Sequence, residues 1–211
     1  MLRASSFVGL ILAAGSSSRM GTDKALLPWP PPGARESVAR GTFLSCGIQL
    51  LRQWADFVIV VAGDNESNLA PVVYSEGADL AVNPDPARGQ FSSLQIGLHA
   101  VLDRGRDAAI VALVDRPPAK PTTVSTLRGA FLEAGEKIWA IVPEFSGKHG
   151  HPIVIGREII EAFLQAPPTS TAREVEAAYG DRIRYLPVDD PFVALNINTL
   201  EEYGNLGLDK E

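Results

Sequence analysis

The sequence predicts an α/β fold, with a mostly parallel, doubly wound sheet and helices on both faces. Three observations lead there. Short apolar runs, largely β-branched, recur at 8–12, 57–62, 80–82, 108–114, 138–142, 153–155 and 183–188, as expected of strands buried on both faces. Segments of helical periodicity at 40–54, 92–102, 122–134 and 158–165 separate several of them, and such alternation marks parallel strands joined by crossover helices. The first apolar run also breaks abruptly into Ala13-Ala14-Gly15-Ser16-Ser17-Ser18. Sheets of this kind bind ligands beyond the carboxyl ends of their strands, so this break and the end of the 108–114 run are where chemistry is expected.

The bulk composition narrows the class. A chain of 211 residues suits one domain with a full core. A net charge of −6 with no basic run argues against a nucleic-acid partner, and leaves room for a discrete anionic ligand in a locally basic site. A single cysteine, Cys46, excludes a disulfide framework and a cysteine metal site, and suits a reducing cytoplasm. Arg3, Ser5 and Ser6 interrupt the N-terminal apolar stretch, so no signal peptide is expected. No run reaches membrane-spanning length, so no membrane partner is expected either.

Taken in order, the elements carry distinct chemical suggestions. After the 8–12 strand, a loop of exposed amides is followed closely by Arg19, Gly21 and Lys24. Amides wrap phosphate oxygens while fixed cations offset their charge, so the arrangement is what a polyphosphate needs, an ordinary strand-to-loop junction with solvated Arg and Lys being the alternative. It is neither of the commoner phosphate loops: Lys24 is followed by Ala25 rather than by a hydroxyl residue, and no G-x-G-x-x-G is present. The prolines of Trp29-Pro30-Pro31-Pro32-Gly33-Ala34 force an extended path. The 57–62 run belongs to the core, with Gly63 and Asp64 opening a loop. Asn83-Pro84 stops the next strand, and Gly89 precedes Ser92-Ser93, a pair able to cap a helix beginning near Leu94.

The 108–114 strand ends in Asp115-Arg116-Pro117-Pro118. A carboxylate fixed at a strand end and facing a triphosphate is a natural magnesium ligand, because Mg²⁺ keeps several waters and takes one or two protein oxygens plus phosphate. His149 and His151 stand at i and i+2, but with no cysteine nearby and only His99 elsewhere they make a poor zinc site. Near the end, Asn196 and Asn198 alternate along a short expected strand and so share a face. Thr199 and Glu202 have the spacing of a helix capping box.

The string L-A-A-G-x-S-x-R-M-G-x-x-K-x-L-L-P, the N-P…G…S-L-x-x-G-L run at 83–98, the V-D-x-P at 114–117, the G-H-P at 150–152 and the N-x-N-T at 196–199 resemble, in order, the motifs of the MobA/MocA-like nucleotidyltransferases. These enzymes make molybdenum cofactor dinucleotides, and the front half looks most like their cytidylyl branch. The resemblance implies a single-domain, Rossmann-like nucleotide-diphospho-sugar transferase fold over residues 1–211, with its core at 7–203 and a Pro-rich loop insertion at 29–35.

It also implies roles. Leu12, Ala13, Ala14, Gly15, Ser16, Ser17, Gly21 and Lys24 would cradle the nucleotide phosphates, with Arg19 and Lys24 offsetting charge. Gly89, Ser92 and Ser93 would lie nearest the nucleoside, and Lys148 and His151 would contact the acceptor. Asp115, helped by Asn196 or Asn198, would hold Mg²⁺. Two departures stand out: Arg116 replaces the glutamine usual in the cytidylyl branch, and Asn-x-Asn replaces its D-x-D, as in the guanylyl branch. The implied reaction joins an NMP from an NTP, with CTP favoured and GTP the alternative, to a phosphorylated acceptor and releases pyrophosphate. Molybdopterin is the leading acceptor, sugar and polyol phosphates being alternatives, and a molybdoenzyme is a natural transient partner. A non-catalytic nucleotide-binding protein on the same fold is the rival from another class.

Overall fold

The computed structural model describes residues 6–15, 21–31 and 41–206. Along the chain run β1 (Val8–Leu12), the two-residue strands β2 (Pro28–Trp29) and β3 (Gly41–Thr42), α1 (Phe43–Arg52), β4 (Phe57–Ala62) and α2 (Glu66–Ser75). They continue with β5 (Asp79–Val82), α3 (Gln90–Asp103), β6 (Ala108–Leu113), α4 (Pro121–Glu133), β7 (Ala140–Phe145) and β8 (Lys148–His149). The last are β9 (Ile153–Gly156), α5 (Arg157–Gln165), α6 (Ala172–Ala178), β10 (Ile183–Pro187) and α7 (Leu200–Asn205).

The main sheet has the order β10-β7-β9-β6-β1-β4-β5, with β8 paired to β7, while β2 and β3 form a separate antiparallel pair. β1 is parallel to β4 and β6, β4 to β5, and β10 to β7. β9 alone on this path runs antiparallel to its neighbours β6 and β7. The carboxyl ends of the parallel strands therefore share one edge with the start of β9, and this interleaving brings Gly150–Pro152 among them.

Both faces of the inner strands β1, β4, β6 and β9 are buried, which is why they read as apolar runs. Phe7 and Ile11 pack with α1, α2 and α4 on one side, whereas Val8, Leu10 and Leu12 pack with α3, α5 and α6 on the other. α3 lies so close to β1 that a Cβ on Gly97 would stand 2.6 Å from Leu10 Cδ1.

Several expected boundaries shift for physical reasons. The 40–54 helix is shortened to Phe43–Arg52 because Thr42 and Ser45 cap it reciprocally. β7 passes through Pro143 to Phe145 instead of stopping at 142; β9 pairs β7 only at Ala140 and Ile141, and β8 takes over at Glu144. Pro143 stays in register with Leu186 of β10 and falls between β9 and β8 on its other side, where its missing N–H costs no ladder bond. Of the Pro-rich stretch at 29–35, residues 32–35 lie outside the described residues.

Candidate active site

The phosphate loop begins inside the sheet. Ala13 N–H donates to Val61 C=O at 2.8 Å, and Ala13 C=O accepts from Asn65 Nδ2 at 3.0 Å. Its amide is therefore committed to the ladder and withdrawn from the set of free donors the sequence suggested. Ala14 is buried, and the chain reaches solvent at Gly15. Ser16, Ser17 and Arg19 lie outside the described residues.

Gly21 is exposed, and its φ of 64° suits glycine. Asp23 then caps the one-turn helix Lys24–Leu26, its Oδ1 accepting from Ala25 N–H at 3.0 Å. Asp23 Oδ2 accepts from Asn65 Nδ2 at 2.7 Å, and Asn65 Oδ1 accepts from Gly63 N–H at 3.1 Å. One side-chain amide thereby ties the ends of β1 and β4 to the segment carrying Lys24. Asn65 and Asp23 were not legible as site residues, since Asn and Asp beside a strand end read as ordinary turn residues.

The turn into α3 corrects another expectation. The helix begins at Gln90 rather than near Leu94, and its N-cap is Gly89 with φ 94° and no side-chain cap. Ser92 and Ser93 sit in the first turn, both buried, and each hydroxyl accepts from Asn83 Nδ2 at 2.9 Å. Asn83 Oδ1 accepts from Asp85 N–H, and Ser92 Oγ donates to Gly89 C=O. The serines brace the 83–89 loop from behind, while Gly89, Gln90 and Phe91 face the cleft.

Asp115 stands in the turn after β6, where Leu113 pairs with Leu12 of β1. Its Oδ1 is buried without a hydrogen-bond partner among the described residues. A buried carboxylate oxygen left so is costly unless a cation comes to it. Asp115 C=O accepts from Ile197 N–H at 2.9 Å, which brings Asn196 and Asn198 alongside. They lie on irregular chain rather than on the expected strand, with buried Ile197 between exposed Asn196 and half-buried Asn198. The capping box at Thr199 and Glu202 forms as expected, and Glu202 also accepts from Asn198 N–H.

Arg116 and His151 complete this corner. Arg116 Nη1 donates to Val193 C=O at 2.5 Å, and its Nε is buried without a partner among the described residues. Burial pulls the Arg116 pKa down, and the Asp115 charge opposes that. His151 N–H donates to the same Val193 C=O at 3.0 Å. A Cβ on Gly150 would lie 2.0 Å from that oxygen, so only glycine fits there. Burial, aided by Arg116, pulls the His151 pKa down to about 3, and its Nδ1 is sealed from solvent. His151 is thus a neutral imidazole at ordinary pH, and its Nδ1 has no hydrogen-bond partner among the described residues.

Arg116, His151 and the turn into α3 line a cleft of about 1000 Å³, whereas Lys24, Asp115, Asn196 and Asn198 are not among its lining residues. Its floor is Leu12, Val111 and Leu113, and its walls come from the start of α3, residues 148–151, α6 and Tyr185. Arg88, Arg116, Lys148 and Arg173 line it against one carboxylate, Glu176. The lining is therefore positive in a chain of net charge −6, as suits a polyanionic ligand. Leu12, Gly89, Lys148 and His151 come together in this cleft, and Arg116 links it to the Asp115 corner. Among the described residues no three His, Cys, Asp or Glu side chains form a metal cage. The Asp115 corner instead suits a cation that retains water and phosphate ligands.

The model of the MobA-like NTP transferase domain matches residues 9–183. The chain is 27% identical to the molybdenum cofactor cytidylyltransferase of Escherichia coli (strain K12) over 202 residues, covering 92% of each chain. It is 30% identical to a probable molybdenum cofactor guanylyltransferase of Rhodopirellula baltica over 131 residues, 62% of this chain and 58% of the relative. The crystal structure of Rv0371c from Mycobacterium tuberculosis H37Rv superposes with a TM-score of 0.77 at 25% identity, covering 95% of this chain and 97% of that one.

Proposed function

Because this chain belongs to the family of MobA-like NTP transferase domains, we propose that it transfers the NMP unit of an NTP to the phosphate of molybdopterin and releases pyrophosphate. CTP is the first-ranked nucleotide and GTP the second, since the cytidylyltransferase relative is matched over 92% of its length and the guanylyltransferase over 58%. The observation that carries this reading is the buried Asp115 oxygen, without a partner among the described residues, beside a cation-lined cleft. The single cysteine suits a cytoplasmic setting.

In the reaction, an acceptor phosphate oxygen attacks the α-phosphorus, forming a P–O bond as the bridge to the β-phosphate breaks and pyrophosphate leaves. A phosphate monoester with a second pKa near 6 is largely dianionic at neutral pH, so no general base is needed. That agrees with a neutral His151. What the chain supplies is alignment and charge. Lys24, on the segment held by Asn65, serves the leaving phosphates; Gly89 approaches the nucleoside; Lys148 and Arg116 serve the acceptor phosphate. Asp115, with Asn196 or Asn198, is the set of oxygens that would hold Mg²⁺. When bound, Mg²⁺ supplies charge neutralisation and polarisation at the α-phosphate.

The test is pyrophosphate release with Mg²⁺ and molybdopterin, with each NTP supplied separately, for the natural chain and Asp115→Asn. The variant is expected to lose about a thousandfold in turnover while equilibrium dialysis still detects nucleotide binding. Undiminished turnover would remove Asp115 from the mechanism. Binding without release by the natural chain would point to a non-catalytic role.

A further inference from the structure

The mechanism above leaves the outer end of the cleft without a task. There the rings of His149 and Tyr185 are stacked, with centroids 3.7 Å apart and planes within 10°. His149 is steadied by Glu144, Nε2 to Oε2 at 3.4 Å. Tyr185 remains 40% exposed, so the pair forms a flat aromatic wall open to a ligand. α6 presents Glu176 to the same cleft.

Glu176 is half-buried and its carboxylate makes no hydrogen bond among the described residues; its oppositely charged neighbour is the exposed Arg173. Burial pushes its carboxyl pKa up, with Arg173 opposing. A lone carboxylate in an otherwise cationic lining repels phosphate, so its use lies with another part of the ligand. Its two oxygens pair well with two adjacent N–H donors on one edge of a planar group. An aromatic wall beside it suits the face of such a ring.

We infer that Glu176, together with the Tyr185–His149 wall, reads the acceptor by selecting a planar heterocycle with two adjacent N–H donors on one edge. The acceptor's phosphate then extends inward toward Lys148 and Arg116. This rests on the reading of the cleft as the acceptor side of a nucleotidyltransferase. It adds what that reading lacks, a residue that distinguishes one acceptor from another.

The test uses two fused-ring probes without nucleotide. 2-Amino-4-oxopteridine offers the paired donors, and 2,4-dioxopteridine replaces the amino group by a carbonyl oxygen. In fluorescence titrations the natural chain is expected to bind the amino compound at least about tenfold more tightly. Glu176→Gln should bring the ratio close to one, and Tyr185→Leu should weaken both probes alike. Equal affinities in the natural chain, no binding of either probe, or an unchanged ratio in Glu176→Gln would each overturn the inference. The comparison within the natural chain requires no variant to fold. Failure of the nucleotidyl-transfer reading shows separately, as absent pyrophosphate release.

Discussion

Two aspartates near the same edge of the sheet have opposite fates. Asp190 is fully buried, and its oxygens accept from Lys120 N–H, Thr123 Oγ1 and Phe192 N–H. Asp115 leaves one buried oxygen with no partner among the described residues. The first is built into the fold, and the second is the one a cation would complete. His151 is a third polar group shaped by burial, and its consequence is a dependence of stability on pH. Its folded pKa of about 3 lies below the ordinary 6.5, so between those values the unfolded chain binds the extra proton. Stability is unaffected by this group above pH 6.5 and is lost as pH falls toward 3. Between pH 7 and 5 the loss should be about 2 kcal/mol. Urea unfolding at both pH values should show the natural chain losing that much more than His151→Asn; equal losses would mean that His151 is protonated in the fold.

At the scale of elements, Asp190 joins the exit of β10 to the start of α4, because Lys120 is the N-cap of that helix. Asp190→Ala would leave three donors without their acceptor and cost about 3 kcal/mol. In a chain of this size that lowers the thermal midpoint by about 10 °C, a drop that calorimetry would detect. A shift below 2 °C would mean that water replaces the carboxylate. Little in the sequence separated Asp190 from Asp189, since the distinction depends on α4 arriving from 70 residues away. The same holds for Asn65, whose three partners lie on three separate segments. Period and burial made the long strands and α1, α3, α4 and α5 legible. α2 escaped because Pro71 interrupts it and only Leu69 and Val73 are buried. α6 was within reach, as Thr171 and Glu174 form a capping box that the sequence spells out. The serines at 92 and 93 misled because a hydroxyl near a helix start reads as a cap, whereas Asn83 claims both.

For the whole molecule, the net charge of −6 and the cationic cleft act in opposition. The surface field repels a polyanion at long range, and the cleft attracts it only once it is near. Exposed charges are screened over about 8 Å at physiological ionic strength, so added salt weakens both effects. Lys148 is exposed in the cleft, as Arg88 and Arg173 are, and is the one of these proposed above to serve the acceptor phosphate. Lys148→Gln should therefore raise the acceptor KM several-fold at about 0.05 M salt, where the Debye length is long, and much less at about 0.5 M. The value of kcat should change little, because the lost contact acts on both ground and transition states. Arg104 follows the far end of α3 and pairs with Asp79, so Arg104→Gln is the matched removal of one positive charge away from the cleft. If both substitutions moved KM equally, the net charge would govern binding. If only Lys148→Gln did, and salt erased the difference, the local lining would prevail over the surrounding negative surface.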